Sequence, residues 1–235
     1  MQIFYAPQIE GNTYQLPEDE SKHCIRVLRM QIGDELYLTD GLGSLHTARI
    51  ADGNPKRCLV QIVSTQKEFS KRPFNLHIAI APTKNIDRFE WFLEKATEIG
   101  VDTITPLLCE RSERKEVKVD RLQKIVISAM KQSVKAYLPI INEIQLFKNF
   151  IKSNHQSDIK AIAHCNSWDL EPFQKVIHAG RSVLVLIGPE GDFSPTEVSL
   201  AISNGFHEVS LSTSRLRTET AGVVACHTAN LVNGV

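Results

Sequence analysis

A chain of 235 residues with 42% hydrophobic and 23% charged side chains has the make-up of a packed protein of one or two domains, which excludes a disordered chain, a collagen-like fibre and a low-complexity polymer. Its longest wholly apolar run, Val183 to Ile187, is far too short to span a membrane. The formal net charge is +0, yet Arg111 to Lys135 hold eight Lys/Arg against three acids; such a cluster either attracts a polyanion or forms a solvated, salt-bridged face.

The first 70 residues predict short strands at Ile3–Ala6, Glu35–Asp40, His46–Ile50 and Cys58–Val63, separated by the turn chemistry of Gly41-Leu42-Gly43-Ser44 and Asp52-Gly53-Asn54-Pro55. Such strands in a small unit predict a β-barrel. One helix is predicted near Glu18–Met30, with Cys24, Val27 and Leu28 in its apolar set. It would align Lys22, Arg26 and Arg29 on one face, where they either touch phosphate or face solvent. The stretch from Phe69 to Pro73 reads as a joint, dividing a domain of residues 1–70 from one of residues 71–235.

After the joint, strands alternate with longer helices. Leu76–Ala81 is a strand, Asn85 caps a helix whose apolar period runs from Ile86 to Ile99, and Gly100 closes it. Thr103–Leu108 is the next strand; Asp120 is expected to cap a second helix that ends before Pro139. Ile159–His164 is a short strand and Ser182–Ile187 a buried one. Ser194-Pro195-Thr196-Glu197 forms a capping box, Gly205 closes that helix, Glu208–Leu211 is the last strand, and a final helix begins around Thr218–Ala221. This alternation predicts an α/β domain with a mostly parallel sheet.

Ligands of open α/β sheets bind beyond the carboxyl ends of the strands. Two loops at that place have unusual composition: Gly188–Phe193, with two glycines, and the hydroxyl-rich run Ser212 to Thr220. They offer close backbone approach and side-chain hydrogen bonds, although two polar-capped turns would look the same. No P-loop, GxGxxG, GxSxG or HExxH pattern is present, so the common nucleotide, hydrolase and zinc-protease chemistries are poorly supported. Five scattered cysteines form no zinc spacing, and the N-terminus shows neither a basic nor an apolar leader region; both features suit a reducing cytosol.

LIGPEGDFSPTE (186–197) followed by LSTSRLRTETAGVVACHTANL (211–231) closely resembles the RsmE-type 16S rRNA uridine-N3 methyltransferases of the SPOUT superfamily. KNIDRFEWFLEKATEIGVDTITPLLCERSERK (84–115), AMKQSVKAYLPIINE (129–143) and HCIRVLRMQIGDELYLTDGLG (23–43) resemble further segments of that family, so the likeness spans nearly the whole chain. Ser212 stands where the family usually has glycine.

The resemblance implies an N-terminal PUA-like β-barrel that binds RNA and a C-terminal SPOUT domain whose mostly parallel sheet carries a trefoil knot. It implies S-adenosylmethionine held by three loops: Ala163, His164 and Cys165; Leu186, Ile187, Gly188, Pro189, Glu190 and Gly191; and Leu211, Ser212, Thr213, Ser214, Arg215 and Leu216. It also implies a cytoplasmic homodimer, with Ala221, Val224, Ala225 and Leu231 as an interface, acting on 16S rRNA without a metal. Arg217 is the candidate for holding uracil or its developing charge, and Glu219 or Glu190 for orienting it or accepting the proton; alternatively Arg217 and Glu219 simply pair at the start of the last helix. Lys22, Arg26, Arg29, Arg111, Arg114 and Lys131 are candidate RNA contacts. His23 and His164 are expected to be structural. Two other functions remain open: an RNA-binding or assembly protein of this fold without methyl transfer, and a SPOUT methyltransferase for another RNA position.

Overall fold

The computed structural model describes residues 2–167 and 169–235; Met1, the first residue of the stretch read for a leader, and Trp168 lie outside them. The chain divides into two units: Met1–Lys71 with Ile127–Leu138, and Arg72–Val126 with Pro139–Val235.

In the first unit, β1 (Ile3–Tyr5), β2 (Thr13–Gln15), β3 (Glu35–Thr39), β4 (Leu45–Asp52) and β5 (Leu59–Gln66) form one sheet in the order β1-β3-β4-β5-β2. Only the β1–β3 pair is parallel. Register shifts in β4 at Thr47/Ala48 and Ile50/Asp52 bend the sheet, as an extra residue on one strand does. Alternation then turns Leu36, Leu38, Ala48, Ile50 and Val60 onto a core shared with Phe4, Leu16 and Cys24.

The helix expected to reach Met30 is shorter and less regular. Its α-helical part, α1 (Glu18–Lys22), passes into a π-helical turn over His23–Val27, closed by Leu28 N–H donating to the carbonyl of His23 at 2.9 Å. Arg29 follows in the left-handed region with φ 57°. The common face expected for Lys22, Arg26 and Arg29 is therefore lost, because it required an unbroken 3.6-residue period.

The second unit contains β6 (Leu76–Ile80), α2 (Ile86–Ile99), β7 (Thr103–Leu108), the start of α3 (Val119–Gln132), β8 (Ile140–Ile141), β9 (Gln145–Leu146), α4 (Phe147–Lys152), β10 (Ile159–Ala163), β11 (Glu171–Pro172), α5 (Phe173–Val176), β12 (Val183–Ile187), α6 (Pro195–Ser203), β13 (His207–Ser210) and α7 (Thr218–Val232). Its strands pair in parallel in the order β11-β13-β10-β12-β6-β7-β8, with β9 also on β7. Asn85 caps α2 by accepting from Asp87 N–H at 3.0 Å, and the Ser194–Glu197 capping box is complete. Asp120 is not a cap: α3 already begins at Val119, which places Asp120 in its first turn, where a carboxylate still favours the helix dipole.

Every residue of β12 is buried. Leu184 and Leu186 join Phe147, Phe150, Phe193 and Ala201 in one core, and α7 packs over the opposite face against α2 and Ile80. The close crossing of α2 and α7 depends on Gly222. A Cβ there would lie 2.6 Å from ring atoms of Phe92 and 2.9 Å from Ile80 Cδ1, and neither neighbour has any exposed surface. At the carboxyl ends of α2 and α7, Arg72 ties the packing together. It pairs with Asp102, donates to the Gly100 carbonyl at 2.9 Å and reaches Asn230 Oδ1 at 3.2 Å. Among the described residues, no helix is long and apolar enough to cross a membrane.

Two outcomes follow for stability. Gly222→Ala gains about 1 kcal/mol of helix propensity but overpacks a rigid contact at a cost of about 1–3 kcal/mol, so a net loss is expected as a lower urea midpoint at unchanged slope. The second concerns His77 on β6, whose Nε2 lies 2.8 Å from Thr105 Oγ1. Burial, then the neighbouring His155, hold its imidazole down to about 4 from the usual 6.5. Below that ordinary value the unfolded chain binds a proton that native His77 refuses, so stability falls as pH drops from 6.5 toward 4, by up to about 3 kcal/mol. Denaturation of His77→Gln across this window is expected to show a flatter pH dependence.

Candidate functional site

Three neighbouring strands set the position of the site. Ala163, the last residue of β10, stands opposite Ile187 of β12 on one side and Val209 of β13 on the other. The segments leaving these strands therefore start at one level, and they enclose a cavity of about 470 Å³.

Of the residues expected to bind a cofactor, Ala163, His164, Cys165, Ile187, Gly188, Pro189, Glu190, Gly191, Leu211, Ser212, Ser214, Arg215 and Leu216 line this cavity. Leu186 does not; the two-residue strand period turns its side chain into the core beneath α6. Thr213 lines a second, adjoining cavity beyond the same loop. Asp192, Ser210, Thr218 and Ala221, none of them named as a cofactor contact from the sequence, line the first cavity as well.

Asp192 locks two of the loops together. With φ 60° it sits in a left-handed conformation that aspartate tolerates better than most residues. Its Oδ2 accepts from Cys165 N–H and its Oδ1 from its neighbour Phe193 N–H, both at 2.8 Å. Gly188 gives the turn its room: a Cβ there would meet Phe193 N at 3.1 Å and the Phe193 ring at 3.2 Å. Thr218 Oγ1 donates to the Gly188 carbonyl at 3.1 Å, joining the start of α7 to the same loop.

Both ring nitrogens of His164 are engaged within the chain. Its side chain is 1% exposed. Nδ1 accepts from Asn166 N–H at 3.2 Å, which leaves Nε2 to donate to Glu208 Oε1 at 3.0 Å. His23 lies in the other unit, in the π-helical turn, edge-on to Phe4.

Arg217 lines the cavity at the N-cap of α7. Its guanidinium is exposed and has no partner among the described residues, so the simple pairing of Arg217 with Glu219 is not formed. Glu219 is buried outside the cavity lining, its Oε1 3.8 Å from Arg88 Nε. Glu190 is on the cavity wall and accepts from Lys84 N–H at 2.9 Å. Glu113, and more weakly Glu190, raise the pKa of the Lys84 ammonium above the ordinary lysine value.

The basic side chains serve mixed purposes. Arg111 donates to the Gly191 carbonyl at 2.9 Å, and Arg114 to the carbonyls of Thr83 and Lys84 at 3.0 and 2.7 Å. Both brace loops at the carboxyl edge of the sheet. In the first unit Lys22 pairs with Glu18 at 2.7 Å and Lys131 with Glu20, whereas Arg26 and Arg29 are exposed.

Residues 70–230 match the RNA methyltransferase domain model and residues 16–63 the RNA methyltransferase PUA domain model. The chain is similar to ribosomal RNA small subunit methyltransferase E of Synechocystis sp., at 32% identity over 95% of this chain and 75% of that protein. Among solved structures it is similar to a probable rRNA-methyltransferase from Porphyromonas gingivalis, with TM-score 0.94, 44% identity and coverage of 100% and 99% of the two chains. It is also similar to a ribosomal RNA small subunit methyltransferase E from Neisseria gonorrhoeae bound to S-adenosyl methionine, with TM-score 0.90, 28% identity and coverage of 99% and 98%.

The Asp192 latch yields an expected outcome independent of any ligand. Asp192→Ala removes two charge-assisted acceptors and leaves a left-handed alanine, together worth about 1–3 kcal/mol. Amide hydrogen exchange at Cys165 and Phe193 should accelerate by an order of magnitude or more, with protection at β10 and β12 retained.

Proposed function

The chain belongs to the ribosomal RNA small subunit methyltransferase E family, and from that premise we propose that it methylates N3 of a specific uridine in the 16S rRNA of the small ribosomal subunit, using S-adenosylmethionine. The observation that carries this reading is the cavity that the segments after β10, β12 and β13 enclose together. Its volume suits a small-molecule site. Its lining of apolar side chains and backbone at Gly188, Pro189, Gly191, Leu211 and Leu216 suits adenine, which neutral amides and carbonyls can recognise. S-adenosylmethionine supplies, when bound, a methyl group already activated on a sulfonium, so the donor needs no metal.

The chain's own residues must align the attacking nitrogen and handle a proton. Uracil N3 gains a methyl group and loses its hydrogen. Arg217, without a partner among the described residues and on the cavity wall, is our candidate for holding the charge that develops on the base. Glu190, on the same wall, is better situated than Glu219 to take the proton. The insertion of β12 between β6 and β10, and of β13 between β10 and β11, supports a chain threaded into a trefoil around this cavity.

The PUA-like unit with Arg26 and Arg29, together with Lys22, Lys131, Arg111 and Arg114, is our assignment for the rRNA surface. Arg111 and Arg114, bound to neutral carbonyls, keep their full charge, whereas Lys22 and Lys131 would have to exchange Glu18 and Glu20 for phosphate. We assign the homodimer interface to the outer face of α7. Val224 and the 63% exposed Leu231 remain available, whereas Ala225 is already buried within the chain and Ala221 faces the cavity. A cytoplasmic location accords with action on the small ribosomal subunit.

Mass mapping of 16S rRNA from a deletion strain should show one uridine lacking 14 mass units, about the mass of CH2, restored by the intact gene. An unchanged rRNA would refute the assignment. Complementation by Arg217→Ala should fail, with single-turnover methylation reduced by about 10²–10³ and S-adenosylmethionine affinity by calorimetry nearly unchanged. Near-normal turnover removes the role given to Arg217.

A further inference from the structure

The starts of α2 and α7 meet around a buried charge that the reaction outlined above does not use. The Glu219 side chain is only 9% exposed, and its Oε2 has no hydrogen-bond partner among the described residues. Its nearest cation is Arg88, whose Nε lies 3.8 Å from Oε1, an ion-pair separation too long for a hydrogen bond. The Arg88 side chain is 45% exposed.

This pair is fixed to the cavity on both sides. Glu190 on the cavity wall accepts from Lys84 N–H at 2.9 Å, Asn85 caps α2, and Arg88 follows in the first turn of that helix. On the other side, Arg217 lines the cavity, Thr218 binds the Gly188 carbonyl, and Glu219 comes next. Several cations at this edge are engaged, Lys84 with Glu113 at 2.7 Å, Arg121 with Glu90 at 2.5 Å, and Arg111 and Arg114 with carbonyls, while Arg217 faces the cavity itself. Among the described residues Arg88 has only the loose contact to Glu219 and keeps its guanidinium fork available.

We propose that Arg88 is a further substrate-contacting residue, taking an RNA phosphate adjacent to the target nucleotide, and that Glu219 is the positioning residue that aims it. The inference rests on the methyltransferase reading given above. A nucleotide entering the crevice brings its phosphates to the rim, and a guanidinium matches a phosphate in two parallel hydrogen bonds. A carboxylate behind the guanidinium restricts its swing and lowers the cost of ordering it on binding. A purely structural Glu219 would serve only the positive end of α7 and would have no bearing on RNA.

The test uses unmethylated small subunits from a deletion strain and the full-length protein. RNA affinity is measured against salt, beside steady-state kinetics and S-adenosylmethionine calorimetry. Arg88→Ala should raise Kd and KM for the subunit about tenfold and lower the salt slope by about one, with kcat and S-adenosylmethionine affinity within twofold. Arg88→Lys should restore the slope but only part of the affinity. The isosteric Glu219→Gln should raise KM several-fold at unchanged slope, and adding it to Arg88→Ala should cost nothing more. An unaltered Kd and slope in Arg88→Ala overturns the proposal, as does a Glu219→Gln effect that persists in full without Arg88. Failure of the unaltered chain to take up S-adenosylmethionine would instead overturn the underlying reading, and calorimetry of the unaltered chain detects that separately.

Discussion

The site depends first on the position of β10, which hydrogen-bonds in parallel to β12 along one edge and to β13 along the other. Strands that pair in parallel all present their carboxyl ends at one side of the sheet. Here the three adjacent ends belong to segments far apart in sequence. Backbone pairing brings residues 163–165, 187–191 and 211–216 to one place before any side chain acts. The fully buried strand β12 then explains why the cavity floor is firm. Its alternate residues face opposite sides, so a shift of one position would exchange Leu186 in the core with Ile187 at the cavity and mismatch the packing of both.

Much of this order was legible in the sequence where a repeating physical signal existed. Thr103–Leu108 was found with both its bounds, and the Asn85 and Ser194 caps were found by residue, because capping is local chemistry. Signals failed where structure arises from partners distant in the chain. Thr13–Gln15 is a three-residue strand with no run long enough to show alternation, and its pairing with β5 alone makes it a strand. The α-to-π transition at His23 and the left-handed Arg29 have no compositional mark. The short helices α4 and α5 span six and four residues, less than two turns, below what periodicity can distinguish from a strand-end turn.

The site was legible to a similar depth. Glycines and hydroxyl residues mark loops that approach a ligand, and those loops do line one cavity. Asp192 carries no such mark, because its value lies in the amide of Cys165, 27 residues away in the chain; the one available clue was an aspartate following Gly191, a pair suited to a left-handed turn. The basic run from Arg111 onward carried two readings, RNA contact and structural brace, and composition could not separate them. Arg111 and Arg114 are braces in this structure, which does not remove their charge from the surface.

That double use bears on how such a site can be built from loops at all. Loops at a sheet edge lack the repeating backbone ladder that steadies strands, and their carbonyls need donors if they are to hold still. A guanidinium supplies several donors in a fixed plane while adding a positive charge that a polyanionic substrate also requires. Arg111 on Gly191 and Arg114 on Thr83 and Lys84 therefore steady the crevice and leave positive charge beside it. An arginine fully committed to carbonyls has few donors left for a phosphate, so recognition falls to arginines held loosely or not at all. Arg217 and Arg88 are of that kind, each at the start of a helix whose far end is anchored by the Arg72–Asp102–Asn230 network. Guanidiniums carried on helix starts and not tied to carbonyls can meet a nucleotide without moving the loops that shape the cavity.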